Sequence, residues 1–444
     1  MSGTDALVAR AVAASPTVAA VEVGRGALGR IGALVRGHFG PGPCLIVSDG
    51  NTDAAAGQAA RAALERAGIA CAAHVLPARP RPKPTVALAG DLRAVLARSG
   101  AVPVAVGSGV LNDVVKHAAH ALGRPYLIVA TAASMDGYTS AGAPLSDRGF
   151  KMTIQCAPPR VVVADLDVIG AAPPAMNGWG YGDLAGKMPA GGDWLVADAL
   201  GVEPLDAVAW PMVQDNLRDW LARPEAVAAG EPRAIADLFA GLTLGGLAME
   251  AHGSSRPASG AEHQIAHLWE MEDLAADGER VAHGACVAVG TVASLRLYDW
   301  LLAQDLGALD AAAILGRAPG MAAKEAAIVA AFGEGELARR ATQESRAKHA
   351  DPATHAARLE RLARAWPGLR DRLAAHLWRA GRMADHLSRA GCPHEAAQIG
   401  VDAARLAGSI RRARFLRSRY TVLDLLDETG LLDQAVAATV PQGG

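Results

Sequence analysis

Between residues 18 and 170 the apolar positions come in short unbroken runs. Longer stretches separate them, in which alanine and leucine recur at helical spacing. The runs near Val18–Val23, Cys44–Ser48, Cys71–Val75, Val102–Val106 and Tyr126–Ala130 predict strands. The opening residues, a segment from Ala27, and the segments Ala54–Ala67 and Val86–Ser99 predict helices, as does the stretch after Gly109. Strand and helix in alternation point to a parallel sheet with helices on both faces. FKMTIQCAPPRVVVADLDVI, from Phe150, reads as a hairpin-like pair of strands. PARPRPKPT, with prolines alternating with Arg and Lys, reads as a stiff exposed loop.

After Pro173 and Pro174 the strand-like runs stop. Ala-, Leu- and Arg-rich helical segments punctuated by glycine continue to the end. The expected organisation is therefore α/β followed by all-α. Residues 1–172 form a Rossmann-like parallel-sheet domain, and residues 173–444 form a helical domain. Segments 352–390 and 396–412 read as Arg-rich amphipathic helices with solvated charges. RYTVLDLLDETGLL reads as a short helix with a glycine stop. No internal repeat is evident.

A chain of 444 residues suits two substantial domains. Its residues are 51% hydrophobic and 20% charged. That balance places it among globular proteins. A formal net charge of -2 argues against a nucleic-acid surface. The five cysteines are odd in number and show no CxxC spacing, so a disulfide framework is not expected and a reducing cytoplasm is. The start lacks a basic leader pattern and no long uncharged run looks like a spanning helix. The expectation is a cytoplasmic protein with no membrane partner.

Candidate chemistry gathers at strand ends and at three later motifs. Asp49 ends the second strand, where an acid can bond a ribose hydroxyl or cap the next turn. GSGVLND, from Gly107, is a strand–glycine–helix turn of the kind that receives phosphate on backbone N–H groups, or merely a tight turn. TAASMDGYTS, from Thr131, ends the next strand with small polar residues around Asp136 and Ser140. Further on stand GYGDLAGK with Asp183, SRPASGAEHQIAHLWEM with His263 and His267, and VAHGACVAVGT with His283. One carboxylate and two imidazoles suit a divalent metal with an open coordination position. If Ala261–Met271 is helical, His263 and His267 share a face. We read Asp183, His263 and His283 as the ligands, and His267 as the imidazole that faces whatever the metal activates. Each of these could instead be a cap or a satisfied structural group.

These five motifs and the closing RYTVLDLLDETGLL, in this order over most of the chain, resemble the AraM-like glycerol-1-phosphate dehydrogenases. That family lies within the dehydroquinate synthase-like and iron-containing alcohol dehydrogenase superfamily. The resemblance implies an active site in a cleft between the two domains. It places Asp49 on the adenosine ribose and Gly107, Ser108, Gly109, Val110 and Leu111 at the pyrophosphate. Thr131, Ala132, Ala133, Ser134 and Ser140 would hold the rest of the dinucleotide. Asp136, Asp183 and His267 would contact substrate, and Asp183, His263 and His283 would bind the metal. The implied cofactors are NAD(H) or NADP(H) and one divalent metal, Zn, Ni or Fe. The implied substrate is a small phosphorylated polyol, and a homo-oligomer is expected. Lys187, Arg256 and Lys151 are candidates for the substrate's phosphate. Met188-Pro189-Ala190 departs from the family's usual aromatic and hydroxyl residues after GK, and residues 305–410 diverge most. Another member of the superfamily is the alternative: a dehydrogenase of a different polyol, or a cyclase that uses NAD transiently.

Overall fold

A computed structural model of the chain describes residues 3–148 and 150–440. Six strands form one parallel sheet: β1 (Ala20–Gly24), β2 (Cys44–Asp49), β3 (Cys71–Leu76), β4 (Val102–Gly107), β5 (Leu127–Ala130) and β8 (Val161–Asp165). Their spatial order is β1-β8-β5-β4-β2-β3. The central strands are apolar throughout because both faces are covered. Ile46, Val104, Val106, Leu127, Val129, Val161 and Val163 pack against Leu28, Ile31, Val35, Ala60 and Leu64. The alternate positions Val47, Ala105, Ile128 and Val162 are equally buried on the other side. Each fully buried valine or isoleucine side chain contributes about 2 kcal/mol of transfer free energy.

The hairpin lies one element earlier than expected. Phe150–Ile154 (β7) pairs antiparallel with Ala143–Asp147 (β6), not with the run that follows. Val161–Asp165 instead enters the main sheet between β1 and β5. Its three successive valines fit a slot buried on both faces, which no edge hairpin offers. Strand structure also returns late, as the two-residue ribbon Ala275–Ala276 with Glu279–Arg280.

By its contacts the chain divides into two compact units. One comprises residues 1–184 and 211–254, the other residues 185–210 and 255–444. The end of the strands near residue 172 is thus not where the contacts divide. The sheet unit takes back a later helix, Pro232–His252, which packs on Gly3–Ala14 and on Leu166–Gly170. That helix is long and apolar enough to cross a membrane by composition, but 78% of its apolar window is buried inside the protein.

The helix Pro174–Ala199 runs unbroken through GYGDLAGKMPAGGDW, glycines and Pro189 included. A Cβ on Gly180 would collide with the carbonyl oxygen of Ala133. Only glycine lets the helix and the 131–134 segment approach this closely. We expect Gly180→Ala to lower stability by about 3 kcal/mol, as overpacking against backbone does. A urea melt would show it as a lower midpoint.

Candidate functional site

In the sheet unit the chain reverses direction at β2 and β4: β3 lies to one side of β2 and the later strands lie beyond β4. Open parallel sheets bind ligands outside the carboxyl ends of strands at such a switch point. Asp49 ends β2 and Gly107 ends β4. Asp49 does cap the next turn, its Oδ1 accepting from the N–H of Asn51 and of Thr52, both at 2.9 Å. The helix Gly109–His120 begins directly after Ser108. A Cβ on Gly107 would meet the Leu111 side chain at 2.7 Å, so Gly107 seats the helix on the strand. Leu111 is buried there, while Ser108, Gly109 and Val110 stay partly open.

The segment 131–140 lies beside this turn: the Thr131 N–H donates to the Gly107 carbonyl at 3.1 Å. Two helices clamp it, one at Gly180 and one at Gly246. A Cβ on Gly246 would collide with Thr139 Oγ1 and stand 2.8 Å from the Asp136 carbonyl. The Tyr138 hydroxyl donates to the Ala132 carbonyl and Thr139 Oγ1 to the Thr243 carbonyl, each at 2.7 Å. Asp183, wholly buried, accepts the Asp136 N–H on Oδ2 at 2.9 Å. Asp136 and Asp183, both expected to contact substrate, are thus brought together.

Sequence reasoning missed Lys116. It is fully buried, and its ammonium donates to the carbonyls of Gly137, Ser140 and Gly142 at 2.8, 3.0 and 2.9 Å. Ser140 Oγ accepts from it at 3.3 Å, and Asp113 lies 3.9 Å away. Burial pushes the ammonium down from its ordinary value and Asp113 pulls the other way. Its only signal was a lysine on the buried face of the helix after GSG.

In the helical unit, Ala261–Met271 and His283–Leu301 are helices, as the His263–His267 spacing requires. Ala261, Ile265, Leu268 and Trp269 bury one side of the first, and the Trp269 indole donates to Ser409 Oγ at 2.9 Å. Gly290 of the second lies where a Cβ would be 2.5 Å from the Glu262 carbonyl, so the two backbones touch. The result is a triangle of imidazoles. Ring centroids are 5.8 Å apart for His263–His267, 5.4 Å for His263–His283 and 5.7 Å for His267–His283. His263 Nδ1 stands 2.7 Å from Glu262 Oε1, and His283 Nδ1 stands 2.7 Å from Glu270 Oε1. A carboxylate on Nδ1 makes that nitrogen the donor and leaves Nε2 with the lone pair a metal needs. Neither glutamate was singled out from the sequence. The signal present was a glutamate beside His263 and another three residues after His267.

Behind His263 lies a buried polar network. Glu262 Oε1 also accepts the Gly260 N–H at 2.6 Å. Asp193 accepts from the Ala261 N–H, from the Tyr298 hydroxyl and from the Val422 N–H at 2.7, 2.6 and 2.8 Å. Burial, reinforced by Glu262, pushes the Asp193 carboxyl up to about 7. Arg256, one of the candidates for the substrate's phosphate, belongs to this network. It is fully buried, donates to the carbonyls of Tyr420 and Asp193, and stands 3.3 Å from Glu203. Lys187 is wholly buried, and Lys151 is half-buried on β7.

The helix that carries Asp183 continues into this unit without a break. Gly186, one turn later, has His263 Cε1 3.5 Å and Glu262 Cγ 3.4 Å from where its Cβ would be.

Residues 22–173 match the family described as iron-containing alcohol dehydrogenase. The glycerol-1-phosphate dehydrogenase [NAD(P)+] of Halalkalibacterium halodurans is 35% identical over 259 residues, 57% of this chain and 64% of that one. The protein of that name from Geobacillus stearothermophilus is 31% identical over 331 residues, 74% of this chain and 72% of that one. The alignment with the first therefore spans somewhat less than two thirds of that relative's length. Among solved structures, glycerol dehydrogenase from Schizosaccharomyces pombe shares the fold with a TM-score of 0.61 at 16% identity, covering 95% of this chain and 90% of that one.

Replacing Lys116 by methionine leaves the buried carbonyls of Ser140 and Gly142 without its ammonium, while the Gly137 carbonyl keeps the Asn112 amide. We expect a loss of about 2 kcal/mol or more, because each orphaned buried group costs about 1 kcal/mol at least. Chemical denaturation of the variant measures it.

Proposed function

This chain belongs to the glycerol-1-phosphate dehydrogenase family, and from that membership we propose that it interconverts dihydroxyacetone phosphate and sn-glycerol 1-phosphate. Hydride passes between C2 of the substrate and NAD(H) or NADP(H), at a site built for one divalent metal. The observation that carries this reading is the matched pair of carboxylate–imidazole contacts at 2.7 Å, Glu262 on His263 and Glu270 on His283. Two neutral imidazoles presenting Nε2, with the buried carboxylate of Asp183 as the third donor, fit a divalent ion of the Zn, Ni or Fe kind. Such an ion supplies Lewis-acid charge to the substrate's C2 oxygen.

The rest is the work of the chain itself. His263 and His283 are held in one tautomer. Asp183 braces the backbone of Asp136 with one oxygen, and both residues face the substrate. His267 is left to carry the proton to or from the C2 oxygen. At the carboxyl ends of β2 and β4, Gly107 to Leu111 would hold the pyrophosphate of a dinucleotide, and Thr131, Ala132, Ala133, Ser134 and Ser140 would hold the remainder. The clamped 131–140 segment keeps the nicotinamide from drifting, and alignment of this kind is the largest part of what the protein supplies to a cofactor reaction. Asp49 at the ribose disfavours a 2′-phosphate and so favours NAD.

The test is to dialyse the protein against chelator, restore Zn, Ni and Fe in turn, and follow NADH with dihydroxyacetone phosphate as substrate. We expect activity to fall by at least about 100-fold without metal and to return with one ion, the product being sn-glycerol 1-phosphate on chiral analysis. Full activity in metal-free protein would refute the scheme, and turnover with no net change in NADH would transfer the chain to the cyclase reading. His267→Ala should lower kcat by about 100-fold, the usual scale for a lost proton carrier, with one metal ion still bound.

A further inference from the structure

Glu262 and Glu270 do not do the same work. Glu262 is wholly buried. Its Oε1 takes both the Gly260 N–H and His263 Nδ1, at 2.6 and 2.7 Å, and its Oε2 is buried with no hydrogen-bond partner. It serves one imidazole. Glu270 lies three residues after His267 on the same helix, so the two share a face. Its Oε1 stands 2.7 Å from His283 Nδ1 and its Oε2 stands 4.0 Å from His267 Nε2. The His267 and His283 rings are stacked at 21°, 5.7 Å apart, with this one carboxylate between their nitrogens.

We infer that Glu270 is a positioning residue shared by two imidazoles: it fixes His283 as a metal ligand and, through its other oxygen, sets where His267 stands over the substrate. The inference rests on the metal-dehydrogenase reading above. Because the carboxylate is one rigid group, its two oxygens cannot be placed independently. Whatever anchors His283 also places the charge that His267 faces. Glu262 has no such second client and supplies the internal control. The rival arrangement is also on the page: ligand atoms of His267, Glu270 and His283 lie within 4.8 Å of one another, so Glu270 could in principle be a ligand itself.

Full-length Glu270→Gln and Glu262→Gln decide it, with Glu270→Asp as a second variant that keeps the charge but shortens the reach. Zinc affinity is read by calorimetry and the ligand field by the visible bands of the cobalt-loaded protein. Each Gln variant should still bind one ion, about 10- to 100-fold more weakly than wild type, with shifted cobalt bands. At saturating metal, both Glu270 variants should stay about 10-fold or more below wild type in kcat with KM for the ketone little changed, and Glu262→Gln should regain a clearly larger share of kcat than Glu270→Gln does. Recovery of both Glu270 variants at saturating metal would overturn the shared role, as would unaltered zinc affinity. Complete loss of the ion in Glu270→Gln would make Glu270 a ligand and overturn it too. Failure of the wild type to bind any divalent ion would sink the metal reading first, and this inference with it.

Discussion

The fold depends on how closely the helix Pro174–Ala199 lets its neighbours approach it. Three of its glycines stand where a Cβ would crowd what lies against them: Gly180 on the Ala133 carbonyl, Gly186 on the Val287 side chain and beside His263, and Gly192 on the side chains of Leu377 and Tyr298. Glycine in a helix costs about 1 kcal/mol relative to alanine. Here the penalty is offset by contact that no larger residue permits. In the sheet unit it seats the 131–134 segment against the helix. In the helical unit it brings the helix surface onto the two residues, Glu262 and His263, that begin the imidazole cluster. Asp183 lies between Gly180 and Gly186 on this same helix.

Buried charge then does what apolar packing cannot. Lys116 gathers three carbonyls of a loop that has no regular hydrogen-bonding pattern of its own, and Asp193 gathers two N–H groups and a phenol from three separate segments. A buried charge is tolerated only when its surroundings are this complete. Each therefore specifies one arrangement of the chain around it and penalises all others. The surface pairs, such as Arg339 with Glu336, carry no comparable constraint, because solvent screens them.

The sheet was readable because strands buried on both faces are written as unbroken apolar runs, and β2 to β5 lie within about a residue of where those runs begin and end. The His263–His267 face was readable because helical spacing is a local property. The hairpin was misread because pairing is not local: nothing in the residues from Phe150 says whether the partner lies before or after. The long helix through GYGDLAGKMPAGGDW was missed for a related reason. Its glycines read as breaks, and only the neighbours pressed against them explain why they are there. Lys116 and the two glutamates were invisible as chemistry, since a buried lysine and a solvated one are the same letter.

The imidazole triangle has one odd member, and the carboxylates identify it. The three centroid separations are nearly equal, from 5.4 Å to 5.8 Å. Distance alone therefore does not distinguish the three rings. Orientation does. His263 and His283 each turn Nδ1 to a glutamate at 2.7 Å. His267 turns Nε2 toward its glutamate, and at 4.0 Å. A neutral ring bonded in this way keeps Nε2 as its lone-pair nitrogen, and the third ring is turned the other way. A catalytic metal needs three protein ligands and one position left for substrate. If His267 joined Asp183, His263 and His283, that position would be filled. In the proposed reaction that position is kept for the substrate, and His267, turned the other way, is the ring that would exchange a proton with it.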